Sequence, residues 1–220
     1  MRRERIPLVA VAWLAALVPA LAANLAYLIS AYAELVPWCV PYLEGCTSVS
    51  RAARHGVAAP VFKALMLPYC VVLATFWWLA ARWLGAVRPE RRRTQRALPM
   101  LGLVAAIATA TYALALGVDG ELYQWLRRYG INLSFALTVL AELLLAAALV
   151  NEPRVPRSLR RAMIGLCLAM LMLGLASLPL QYLVADRHAA LNAIEWTYSL
   201  LMLAFFPLVG AAWRRTPAQP

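Results

Sequence analysis

Long apolar runs alternate with short polar connections along the whole chain. Six runs, at about 7–33, 61–84, 98–118, 129–150, 162–185 and 191–213, each hold about 20 residues or more. At about 1.5 Å rise per residue, that length crosses a hydrocarbon core about 30 Å thick. Lipid offers backbone amides no partners, so such runs cross it as helices. The pattern predicts an all-α polytopic bundle of six transmembrane helices. The connection over 34–60 is the longest, and Pro37, Pro41, Gly45, Gly56 and Pro60 interrupt it. That punctuation opposes one continuous helix and predicts a compact cap. Within it, residues 48–55 read as a short amphipathic helix with Arg51, Arg54 and His55 on one face.

Composition sharpens the picture. The chain is 64% hydrophobic, against about 45–50% apolar for an ordinary soluble domain. Its 220 residues leave room for six helices and their connections, so a single integral membrane domain over 1–220 is expected. The net charge of +11 sits almost wholly in the connections, which points to membrane topology rather than to nucleic acid. Arginines cluster before the first run, after the second, after the fourth and after the sixth. Together these places hold 15 of the 21 basic residues. Positive-inside bias then puts both termini in the cytoplasm and the 34–60 cap outside. The start of the chain, with Ala20-Leu21-Ala22, resembles a secretory leader, yet its apolar run continues to Ala33, so it is expected to remain as the first span. The single lysine among 21 basic residues fits a GC-rich genome, and hence a multi-pass protein of a bacterial inner membrane.

Polar side chains inside the runs are costly in lipid and mark candidate chemistry. Ser134, Thr138 and Glu142 recur one helical turn apart, which predicts a polar stripe facing the bundle interior. Asn192, Glu195 and Ser199 form a second stripe near the outer end of the last run. Lys63, at similar depth in the second run, is the natural partner of Glu195. Arg51, Arg54, His55, Lys63, Asn132 and Glu195 are therefore the candidates for holding a lipid head group. Arginine's planar fork matches phosphate oxygens. Glu195, Lys63 and His188 are the candidates for acid–base catalysis, since a Glu–His pair on that side could move a proton. Glu142, Thr138 and Asn192 are equally readable as interhelical hydrogen-bond contacts.

Cys39 and Cys46 share the cap, where a bridge is feasible if the compartment is oxidising; two free thiols are the alternative. Cys70 and Cys167 lie within runs and read as small buried hydrophobes. No group of Cys and His offers four metal ligands at usable spacing, and no Walker-type, G-x-S-x-G, H-E-x-x-H or G-x-G-x-x-G motif occurs. Neither a metal nor a cofactor is expected.

The segment Pro41-Tyr42-Leu43-Glu44-Gly45, followed by Pro60-Val61-Phe62, resembles the Pro-Tyr-Ile-Ser-Asp…Pro…Phe signature of the DRAM/Frag/Sfk family. The segment from Ala193 to Ser199 resembles that family's Ala-x-Glu-Trp-x-x-Ser stretch, which opens its last helix. Glu44-Gly45 replaces Ser-Asp, the stretch 51–55 is inserted, and the fourth helix lacks the histidine of the pattern. The family includes damage-regulated autophagy modulators, GPI-anchor lipid-remodelling factors and regulators of lipid asymmetry. The resemblance implies six helices and the handling of lipids or lipid-anchored substrates at the exoplasmic leaflet, with membrane lipids as partners. Two other classes stand beside it: a non-enzymatic regulatory subunit of another membrane protein, and a small-molecule carrier, for which inverted repeats would be expected.

Overall fold

The computed structural model describes residues 5–183 and 186–216. Among these residues eight helices follow one another: α1 (Arg5–Tyr32), α2 (Pro41–Glu44), α3 (Val49–Ala52), α4 (Ala58–Val87), α5 (Arg92–Ala115), α6 (Glu121–Leu149), α7 (Arg157–Leu183) and α8 (Arg187–Arg215). Six of them, all but α2 and α3, are long and apolar enough to cross a membrane. No strand occurs among the described residues. Pro19, Pro68, Pro99, Pro179 and Pro207 lie inside continuous helices. Membrane helices tolerate this because neighbouring groups take up the freed carbonyls.

The six long helices run back and forth in sequence order. Helix α4 packs between α1 and α5, α5 packs on α6, and α8 closes back on α1. Helix α7 leans mainly on α8. Helices α6 and α8 scarcely meet, which leaves a gap in the wall on that side. Small residues allow the closest approaches. At Gly130 of α6, an added Cβ would lie 3.0 Å from the Ala108 carbonyl oxygen of α5. At Gly102 it would lie 2.4 Å from the Trp77 Cβ. This is the small-residue logic of membrane helix pairs, whose backbones approach where side chains vanish.

The arginine-rich half of the bundle is sealed by aromatic rings. Phe76 packs edge-on against Trp77 and Phe206, with Trp213 beside it at 5.5 Å. Below this plug the connections clamp each other. Glu152 is buried in the α6–α7 connection, where Arg154 Nε donates to it at 2.9 Å and Arg88 Nε lies 3.8 Å away. Arg88 also pairs with Glu90, whose carboxyl is held below its ordinary range by a backbone hydrogen bond and by Arg88. Part of the arginine cluster therefore cross-links two connections.

The opposite end carries the cap. Helix α1 ends in a Schellman arrangement: the Leu35 amide donates to the Ser30 carbonyl at 2.9 Å and the Glu34 amide to Ala31 at 3.1 Å. Glu34 takes the left-handed position, φ 57°, that glycine usually fills. The chain then makes α2, with Pro41 in its first turn and Gly45 as C-cap. A disulfide joins Cys39 to Cys46 around α2, with Cα atoms 6.5 Å apart. Ser48 caps α3 by accepting from the Arg51 amide at 3.2 Å. The helix expected over 48–55 stops at Ala52, and Gly56 takes φ 54° beyond it, so Arg51, Arg54 and His55 do not share a helical face.

Candidate functional site

The opening turns of α8 are built to hold the cap. Asn192 Nδ2 donates to the Gly45 carbonyl at 2.9 Å, Trp196 Nε1 to Thr47 at 2.9 Å, and Thr197 Oγ1 to Tyr42 at 3.4 Å. The Glu195 carboxylate accepts the backbone amides of Val49 and Ser50 at the start of α3. These two amides lack intrahelical acceptors by geometry, so an acidic side chain is the natural complement. Gly45 fits because nothing larger could: an added Cβ would sit 1.8 Å from the Ala189 carbonyl oxygen. Helix α1 holds the other side. Tyr27 Oη donates to the Cys39 carbonyl at 2.8 Å and accepts its amide at 2.7 Å, Asn24 Nδ2 donates to Tyr42 Oη at 2.9 Å, and Ser30 Oγ to the Ala52 carbonyl at 2.5 Å. Tyr27, Tyr42 and Trp196 close a small aromatic core beneath.

Beside the cap, the gap between α6 and α8 opens into a groove of about 760 Å³, with α7 on its outer side. Its basic lining comes from Arg54, Arg127 and Arg128, with Gln124 and Asn132 alongside. Its apolar lining comes from Ile131, Phe135, Leu191 and Ile194. Phe135 of α6 and Tyr198 of α8 stack across the gap with ring centres 6.3 Å apart. Arg127 is positioned by the end of α5, its Nη1 donating to the Val118 carbonyl at 2.7 Å and to Ala115 at 3.2 Å. Arg54 is half-buried, and its Nε is buried with no hydrogen-bond partner among the described residues. Burial and the neighbouring Arg127 guanidinium both pull its pKa below the ordinary arginine value. Two like charges thus share one groove, and among the described residues neither makes an ion pair. On the outer face of α6, Trp125 and Tyr129 are 61% and 51% exposed and stack at 4.6 Å. Aromatic pairs of this kind sit at the head-group level, so they place Arg127 and Arg128 at that depth.

The candidates of the sequence scatter. Glu195, Asn132 and Arg54 come together at the groove. Lys63 is half-buried on α4, lines neither this groove nor the interior cavity behind it, and makes no ion pair with Glu195 among the described residues. Arg51 and His55 are exposed on the cap, and His188 is exposed in the first turn of α8. Asn192 binds cap backbone rather than the groove. Ser134, Thr138 and Glu142 are all buried within the bundle, as their helical spacing predicts. Both Glu142 carboxyl oxygens lack a partner among the described residues. Arg127 and Arg128 escaped the sequence reading because their charge was read as topology alone. Their proximity to Trp125, Tyr129 and Asn132 on one helix was the available signal.

Comparisons with protein-family models, curated proteins and solved structures find no match for this chain. The six long apolar helices define a multi-pass integral membrane protein.

Proposed function

We propose that this protein binds a membrane lipid with an anionic head group in the groove between α6 and α8. The carrying observation is the pair Arg54 and Arg127, two guanidinium groups facing one groove with no carboxylate paired to either. An anion held between them would relieve the repulsion and give the buried Arg54 Nε an acceptor. The groove's setting supports a lipid as the source of that anion. It lies beside a head-group-level aromatic pair, and much of its lining is apolar. Positive-inside bias assigns the cap end, and hence this site, to the exoplasmic leaflet. The resemblance to the DRAM/Frag/Sfk family supports the same reading. Its two segments, Pro41 to Gly45 and Ala193 to Ser199, pack on each other here and form the roof beside the groove. On this reading Glu195 organises the cap, and the arginines hold the ligand.

Native mass spectrometry of protein released from nanodiscs of equal phosphatidylglycerol and phosphatidylcholine tests the proposal. Selective retention of phosphatidylglycerol is expected, and it should fall at least tenfold in the double variant Arg54→Gln, Arg127→Gln. Equal retention of both lipids, or retention unaffected by the substitutions, would overturn it.

A further inference from the structure

Behind the basic groove lies a second, interior cavity of about 80 Å³. It is lined mainly by apolar side chains, among them Ala20 and Ala23 of α1, Met66 and Leu73 of α4, and Met202 and Leu203 of α8. Ile131, Phe135 and Glu195 line both spaces, so the two adjoin at the gap between α6 and α8. From this adjacency we infer that one acyl chain of the bound lipid leaves the bilayer, passes between α6 and α8 beside the Phe135–Tyr198 stack, and lodges its end inside the bundle. The inference rests on the lipid-binding reading and adds to it the shape of the ligand.

Several polar groups of the cavity are already paired, which favours an apolar occupant. Thr109 Oγ1 and Ser134 Oγ lie 2.5 Å apart and satisfy each other, while Thr109 also reaches the Ala105 carbonyl at 2.9 Å. Ser199 Oγ donates to the Glu195 carbonyl at 2.7 Å, and Trp196 Nε1 to Thr47. Hydroxyls already paired do not recruit water, and cavities lined by apolar side chains stay dry. Size selects the occupant further. At about 25 Å³ per carbon, the packing found for benzene in an apolar cavity, the space takes roughly three methylenes in a row, one chain end rather than two. Met66 and Met202 are unbranched and adjust readily to a chain that slides. Toward the arginine-rich end, the rings of Phe76, Trp77 and Phe206 close the bundle, so the gap beside the groove is the entry this arrangement offers. A ligand with an anionic head on Arg54 and Arg127 and one inserted chain is an anionic glycerophospholipid or its single-chain lyso form. It is held with its ester linkage near Glu195 and the cap.

Photo-crosslinking in nanodiscs tests this. The probe is phosphatidylglycerol carrying a diazirine near the end of one acyl chain, and adducts are mapped by peptide mass spectrometry. Adducts are expected on the interior positions Met66, Leu73, Met202 and Leu203, and Ala23→Phe, which fills the cavity, should remove them while adducts on the outer face of α7 persist. Adducts confined to outward residues such as Leu171, Met172 and Leu175, which are exposed on α7, would overturn the insertion. If that happens while phosphatidylglycerol is still retained selectively, only the insertion fails. Loss of lipid selectivity itself would instead refute the head-group reading. A phosphatidylcholine probe giving the same interior adducts would overturn the requirement for an anionic head.

Discussion

Replacing Arg54 by Gln should move two measurements in opposite directions. In lipid-free protein the Arg54 guanidinium is a burden: its Nε is buried without a partner, and Arg127 repels it. An unsatisfied buried donor costs about 1–3 kcal/mol. The repulsion adds only a few tenths of a kcal/mol, because the residue is half-exposed and solvent screens it. Glutamine keeps an amide that can turn toward water, so the lipid-free protein should gain about 1 kcal/mol, a rise in Tm of roughly 2–4 °C. The same substitution removes a charge-assisted contact to a lipid phosphate, worth about 1.5–3 kcal/mol. Affinity for phosphatidylglycerol should fall roughly 10- to 150-fold. Thermal melting in micelles free of anionic lipid reads the first effect, and lipid titration by native mass spectrometry the second. A variant that melts lower and binds phosphatidylglycerol as before would make Arg54 a structural residue rather than a lipid ligand.

Other consequences follow from the same contacts. Glu195→Ala strips the acceptor from the Val49 and Ser50 amides, a loss of about 1.5–3 kcal/mol; hydrogen exchange at those amides should accelerate, with Glu195→Gln intermediate, and unchanged exchange would show that the carboxylate does not hold the cap. Reducing Cys39–Cys46, seven residues apart, opens a small ring worth about 2.5 kcal/mol in the chain-entropy account. A clear drop in Tm with dithiothreitol is expected, and no drop in Tm would mean that the tyrosine and α8 contacts alone secure the loop. Glu142 is buried with both carboxyl oxygens unpartnered among the described residues. Glu142→Leu should therefore raise stability by about 1–3 kcal/mol, and a lowered Tm would reveal a partner for that carboxyl.

The spans were legible because lipid imposes a length and a hydropathy that few other settings demand. Their ends were not. Helix α6 begins at Glu121, eight residues before the expected 129, because its first turns carry Trp125 and the two arginines through the interface, where polar residues cost nothing. The stripe Ser134, Thr138 and Glu142 was readable from its helical period alone. Glu195 stood out as a carboxyl within an apolar run, but its expected partner, Lys63, is not the one it has. Its acceptor role is met by backbone amides of α3, and backbone donors leave no trace in a pattern of side chains. The groove was harder still. Its arginines come from a cap connection and from α6, more than seventy positions apart, and a gap between helices that fail to touch has no signature along a chain. The resembling segments at 41–45 and 193–199 offered the best hint of that convergence, since in the fold they lie against each other.

In the proposed function, Arg54 and Arg127 form one half of an anion site whose other half is a lipid. An electron cryomicroscopy map of the protein in phosphatidylglycerol nanodiscs, with a fiducial binder if its small size requires one, tests this most directly. Phosphate density within hydrogen-bond distance of both guanidinium groups is expected, continuous with acyl density that turns inward between α6 and α8. A groove in which the two arginines pair with carboxylates of the protein, with lipid only along the outer helix faces, would contradict it.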